Sequence, residues 1–322
     1  MTFDKTWSNF ISLLYSELSL ESEFFSNAPL LAHYTSLANL EKILSQDEVW
    51  LSNPLFMNDL EEVRFGVNNG VDLVHRNQDL RASLGADTRR AAFYDAVNRA
   101  YDEYATEHVL DLYIMCFSAH KHGDTDGRLS MWRGYGANGN GAALVLDVST
   151  MRVIDESPLV FSQVHYASPE ARRASIEAKI SEVATFMLQN DMPDEFVSRC
   201  AHVLFQRICL FAIFSKHHGF LEEEEWRLVY LKDRDKERKI EPYLSYFNGP
   251  NGIEPKLKLK AKPIEGVIGA DFLFSDIIHS LIIGPSASSP LTKMTVERML
   301  RTMGKERLIK KLNMSSIPFR SD

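Results

Sequence analysis

Phe220–Tyr230 reads FLEEEEWRLVY, four consecutive glutamates running into a tryptophan and then a β-type alternation. Side chains alternate between faces in a strand. Glu223, Glu225, Arg227 and Val229 are therefore expected on one face and Glu224, Trp226, Leu228 and Tyr230 on the other. Two carboxylates then stand side by side. Crowded carboxylates repel, and a fold that tolerates them must arrange their neighbours accordingly. Glu223 and Glu225 at a strand entrance thus form a candidate acid, base or cation-stabilising pair. The competing reading is a solvated face on which Glu225 and Arg227 make a same-face ion pair.

Upstream, Asp194–Phe214 is rich in Phe, Leu, Ile and Val and predicts a helix buried against the sheet. A second helix is expected from Ser168, with Pro169 in its first turn and a break at Asp191-Met192-Pro193. His217 and His218 precede Gly219, where loop chemistry is expected ahead of anion or metal binding. Downstream, KDRDKERK (232–239) reads as a solvated loop, and Leu257–Lys260 as an edge strand guarded by its lysines. Ile277–Ile283 predicts a short strand and Thr292–Gly304 a helix.

The middle of the chain carries the second informative stretch, LYIMCFSAHKHGDTDGRLSMWRGYGANGNGAALVLD. Leu112–Ser118 and Ala142–Asp147 read as buried strands. The glycines at 137–141 allow close backbone approach or a tight hairpin, but without a G-x-G-x-x-G register or a Walker lysine they make no P-loop. Trp132 and Tyr135, three apart, share a face on a helical turn and could stack on a flat ring.

Toward the N-terminus, Phe3, Trp7, Phe10, Leu14 and Leu18 recur at helical spacing, so residues 3–20 predict an amphipathic helix within an N-terminal segment spanning 1–27. Leu30–Tyr34 predicts a strand, Leu37–Leu44 a helix capped by Ser36, and Glu48–Ser52 a second strand closed by Asn53-Pro54. His33 and Tyr34 fall at a strand end, where side chains often meet ligands. Ser52, Asn53, Asn58 and Asp59 read first as turn and cap chemistry, with Ser52 also counted as a ligand-facing candidate. Residues 60–112 are helical in pattern, broken at Gly85-Ala86-Asp87. Asp72, His75, His108 and Asp111 lack a third ligand at usable spacing, so no metal site is expected.

Length and composition set the outer limits. A chain of 322 residues with 45% hydrophobic and 25% charged residues can bury a large core. Its formal net charge of −8 argues against broad, nonspecific nucleic-acid binding, while leaving room for a local basic patch. The three cysteines, Cys116, Cys200 and Cys209, have no metal-ligand spacing, and an odd number fits a reducing compartment. No apolar run approaches the length of a membrane span, so a cytoplasmic protein with no membrane partner is expected.

Taken in order, HYTSLANLEKIL, VWLSNP followed by MND and Glu62, CFS, SMWRGYG, EEEWRLVY, LIIGP and the closing SSIPFR resemble the bacterial domain-of-unknown-function family 2971, from about Leu31 to Arg320. The opening strand with His-Tyr-Thr, the helix and the second strand also resemble ADP-ribosyltransferase-type domains. That second resemblance implies that His33 holds the ribose of NAD, that an aromatic (Tyr34, Trp132 or Tyr135) stacks on nicotinamide, and that Glu225, with Glu223 before it, completes the site. It implies an NAD-dependent ADP-ribosyltransferase, a toxin or antiviral defence effector acting on nucleic acid or protein, with an antitoxin or defence-complex partner. NAD hydrolysis and a non-catalytic nucleotide- or nucleic-acid-sensing module are the alternatives. The expected fold is a single α+β domain over 1–322. Its central, mostly antiparallel sheet would be split as in ADP-ribosyltransferases, with helices inserted at 66–108 and 168–215.

Overall fold

The computed structural model describes residues 3–16, 25, 27–57, 60–106, 111–152, 154, 157–190, 192–249 and 252–319. Leu18, Asn58, Asp59, His108 and Arg320, each named above, lie outside them.

In chain order, the first elements are α1 (Phe3–Tyr15), β1 (Leu30–Ser36), α2 (Leu37–Gln46) and β2 (Glu48–Ser52). Three helices follow, α3 (Leu60–Arg76), α4 (Gln78–Ser83) and α5 (Asp87–Thr106). Then come β3 (Leu112–His120), α6 (Leu129–Gly134), β4 (Gly141–Leu146), β5 (Leu159–Gln163) and β6 (His165–Ala167). Two long helices, α7 (Pro169–Gln189) and α8 (Asp194–Ile213), lead into β7 (Ser215–His217) and β8 (Glu225–Leu231). The chain continues with β9 (Leu244–Gly249), β10 (Gly252–Lys260), α9 (Phe274–Ile277), β11 (Ile278–Ile283), α10 (Pro290–Thr302) and β12 (Leu312–Met314).

Backbone contacts divide the chain into two compact units. One comprises Met1–Ser19, Pro54–Asp111 and Val164–Phe220; the other comprises Leu20–Asn53, Leu112–Gln163 and Leu221–Asp322. The first unit is helical, with a short parallel pair, β6 and β7. Its core joins Phe10 and Leu14 of α1, Phe93 and Val97 of α5, Ile180 and Val183 of α7, and Leu204 and Ile208 of α8. α8 is long and apolar enough to cross a membrane by length and composition, but most of its apolar stretch is buried within the protein, as in a core helix. Cys200 on α8 is buried too, and desolvation pushes its thiol up to about 12, which keeps it inert.

The second unit is built on a mixed, mostly antiparallel sheet in the order β12-β11-β4-β1-β3-β2-β10-β9, with β8 pairing β3 and β5 pairing β8. β11 and β12 are its parallel pair. The strand-helix-strand opening forms as its residues dictate. Ser36 caps α2 by accepting a bond from Asn39 N at 3.2 Å, and Leu40, Ile43 and Leu44 bury the helix's apolar face. One face of the sheet carries a large apolar cluster that includes Leu31, Tyr113, Met115, Phe117, Leu144, Trp226 and Tyr230.

Three expectations are corrected. β8 starts at Glu225, not at Glu223: Glu224 sits at φ 43° and its N–H turns back to Leu221 O at 3.1 Å, so a turn ends where the strand was expected to begin. β10 lies between β2 and β9, so its lysines do not guard an edge; β9 ends the sheet path. The charge run 232–239 is not wholly solvated either. Its Asp235 is buried, accepts a bond from Tyr230 Oη at 3.0 Å and caps the N–H groups of Lys239 and Ile240 at 2.8 and 2.9 Å.

Gly141 opens β4 opposite Ser36 of β1, and a Cβ there would lie 2.2 Å from the backbone oxygen of Thr35. Backbone cannot swing aside as a side chain can. Gly141→Ala is therefore expected to cost about 1–3 kcal/mol, read as a lower urea midpoint at unchanged slope.

Candidate functional site

The sheet forks at β3. On one edge β8 runs alongside from Leu112↔Leu231 to Ser118↔Glu225. The other edge is shared: β1 pairs only from Leu30↔His120 to Ala32↔Ser118, and β2 meets β3 at Ser52↔Ile114. Between these two pairings the backbone oxygen of Cys116 takes its bond from a side chain, His33 Nδ1 at 2.9 Å. The bond requires the Nδ1–H tautomer. Burial lowers the pKa of His33, and the Cys116 bond opposes that shift in part.

The pleat separates His33 from Glu225. Consecutive residues point to opposite faces, and Glu225 pairs with Ser118 while the His33 ring lies against Phe117, centroids 5.9 Å apart. The imidazole thus sits with the Phe117 and Trp226 side of the sheet, and the Glu225 carboxylate points to the other. The expected convergence of these two residues is not made, because the register leaves them an odd number of residues out of phase.

Glu225 is buried and forms a two-pronged pair with Arg227 on its own strand, Nε to Oε1 at 2.8 Å and Nη2 to Oε2 at 2.9 Å. The same-face relation of Glu225, Arg227 and Val229 is present as expected. Glu223, released from the strand by the turn at Glu224, meets a different partner: Tyr135 Oη donates to Glu223 Oε1 at 2.9 Å. Ser118 Oγ donates to Glu223 O at 2.6 Å and fixes the backbone of that turn to β3. Arg128, which no spacing or motif singled out, donates through Nη2 to Glu224 Oε2 at 2.6 Å and through Nη1 to Glu222 O. The segment 222–224 is therefore gripped from three sides by Ser118, Arg128 and Tyr135.

The remaining aromatics divide by burial. Trp132 is fully buried, stands edge-on to Tyr34 at 4.7 Å, and donates from Nε1 to Asp126 O at 2.8 Å. Tyr34 Oη accepts from Arg128 N at 2.9 Å. Gly127, at φ 74°, lets the loop pass: a Cβ there would stand 2.8 Å from Tyr34 Oη and 3.1 Å from the Trp132 ring. Tyr34 and Trp132 are thus pillars that hold the 124–132 loop. Tyr135, at 39% exposure, is the aromatic that reaches solvent. Ser52 accepts a bond from Lys256 Nζ at 2.7 Å, across the β2–β10 pair. His217 Nδ1 accepts from Gly219 N at 3.1 Å, which is loop chemistry as expected. No group of three or more metal-ligating side chains is present among the described residues.

Residues 131–228 match the family model described as "Protein of unknown function (DUF2971)". That span holds Trp132, Tyr135, Glu223 and Glu225, and leaves out His33, Tyr34, Ser52 and Arg128. It supports the family resemblance seen in the motifs. No curated protein and no solved structure matches the chain.

Removing one partner of a buried ion pair strands the other charge. Glu225→Gln is expected to cost about 3–5 kcal/mol, and the double variant Glu225→Gln/Arg227→Met to recover much of that loss; urea unfolding of the parent and the two variants in parallel measures both. His33 supplies a pH dependence. Its native pKa is lowered, so below the ordinary imidazole value of ~6.5 the unfolded chain binds the proton more readily and stability falls with acid until the native pKa is reached. In His33→Asn this part of the acid destabilisation is expected to vanish, read as urea midpoints at neutral and mildly acidic pH.

Proposed function

We propose that this protein is an ADP-ribosyltransferase-like enzyme that cleaves the N-glycosidic bond of NAD, with Glu223 as the carboxylate that faces the reacting ribose. The reading rests on the resemblance carried by the strand-helix-strand opening and the Glu-x-Glu sequence. The observation that favours Glu223 over Glu225 is the Tyr135 Oη to Glu223 Oε1 bond, which pairs a half-buried carboxylate with an exposed aromatic. Glu225, by contrast, faces the Arg227 guanidinium in a buried pair, and its charge is spent on that partner.

The chemistry suits these groups. The bond between the ribose carbon and the pyridinium nitrogen breaks with both electrons going to nitrogen, so nicotinamide leaves neutral and positive charge develops on the ribose. A carboxylate held in place beforehand stabilises charge that appears only in the transition state. Tyr135 positions that carboxylate through its hydroxyl and offers a ring on which nicotinamide can lie. The acceptor's nucleophilic atom then bonds to the ribose carbon and its proton passes to solvent. His33 takes no part, being turned to the opposite face of the sheet.

The test is nicotinamide release from NAD. Glu223→Gln is expected to slow it by about 10²–10³-fold, the usual loss for an electrostatic group of this kind. Tyr135→Phe is expected to slow it less, and His33→Asn to leave it within a few-fold of the parent. Equal rates for parent and Glu223→Gln would overturn the assignment. Stabilisation by NAD that is recovered intact would replace it with the sensing reading. Product analysis separates transfer from hydrolysis.

A further inference from the structure

One face of the β2–β10–β9 part of the sheet carries lysines and aromatic rings together. The register sets Lys256 opposite Ser52, Lys258 opposite Trp50 and Lys260 opposite Glu48, all on one side of the pleat. Phe247 of β9 joins the same side opposite Glu254. The Trp50 and Phe247 rings stand 5.7 Å apart. Lys42 of α2 reaches both, its Nζ 5.5 Å from the Trp50 ring and 5.2 Å from the Phe247 ring, while Lys258 Nζ lies 5.0 Å from Trp50. All six of these lysines and aromatics are partly exposed.

Glu48 and Glu254 are buried and pair with Lys260 at 2.7 Å and Lys256 at 3.2 Å, so four lysines stand against two carboxylates here. The face is locally basic in a chain whose net charge is −8. Alternate lysines on a strand repeat every ~6.8 Å, given a rise of about 3.4 Å per residue, close to the reach between phosphates of an extended single strand.

The geometry points to this face as a binding site for single-stranded nucleic acid, with bases stacked on Trp50 and Phe247 and phosphates met by Lys42, Lys256, Lys258 and Lys260. Base–aromatic stacking outweighs an exposed cation–π contact, so Lys42 and Lys258 leave the rings for the phosphates on binding. An acidic peptide would satisfy the lysines but leave the paired rings without a function, which is why the nucleic acid is favoured. On the reading given under Proposed function, the face would hold the acceptor, yet binding itself requires neither NAD nor Glu223.

The experiment is fluorescence anisotropy of labelled oligothymidylate and oligouridylate with the full chain, in the absence of NAD and over a range of salt. Trp50→Leu keeps apolar volume but removes the π face and is expected to weaken binding about tenfold, whereas Trp50→Phe keeps most of the affinity. Lys258→Gln is expected to flatten the slope of log K against log salt by about 0.7, the value for one phosphate on a single strand. No binding at low salt overturns the proposal, as does binding that ignores both substitutions or that poly-glutamate reproduces with no dependence on Trp50. Failure of nicotinamide release with binding intact would strike only the enzymatic reading.

Discussion

The second unit is organised by the way β3 spends its hydrogen bonds. One edge is fully taken by β8, and the other is divided between two strands that cannot both lie flush against it. A backbone carbonyl left between diverging strands would lose a hydrogen bond in a buried setting, a cost of about 1–3 kcal/mol. His33 meets that need at Cys116 O, and lowering its pKa keeps the ring in the neutral form. The side chain that looked most like a ligand-holding residue therefore has a structural task written into the sheet.

A second economy separates two adjacent acids. In a continuous strand Glu223 and Glu225 would share a face and repel. The left-handed Glu224 breaks the alternation, sending Glu225 to Arg227 and Glu223 to Tyr135. Strain at a non-glycine residue in this region is of order 1 kcal/mol or more and persists only where surroundings enforce it. Here Arg128 binds the Glu224 carboxylate and the Glu222 oxygen, and Ser118 holds the Glu223 oxygen.

Much of the local structure was legible. β2 runs over Glu48–Ser52 as expected, Ser36 caps α2, and Pro169 opens α7. The mixed architecture with a mostly antiparallel sheet was expected as well, as what the resemblance implied and not from any periodicity. What could not be read were relations between distant residues. The phase of His33 against Glu225 depends on the register of β1 on β3 and of β3 on β8, and no local pattern sets either. The positive φ of Glu224 has no signature in a run of four identical residues. Arg128 is one arginine in a polar loop, and its grip on segment 222–224 appears only once residues 94 and 96 positions apart are brought together. Trp132 was expected to offer a stacking surface; its indole N–H instead finds a loop carbonyl and the ring is buried.

The interleaving of the two units has a consequence for how the chain reaches its native state. Each unit gathers three separated stretches, and the β3–β8 ladder joins residues more than a hundred positions apart. During synthesis, β3 emerges with one edge unmatched and must wait for β8 while the Val164–Phe220 stretch of the helical unit is made. Pairing over such separations is slow and leaves a hydrophobic strand exposed meanwhile. Neither unit corresponds to a continuous segment, so a cut at any point between Leu20 and Phe220 divides both of them.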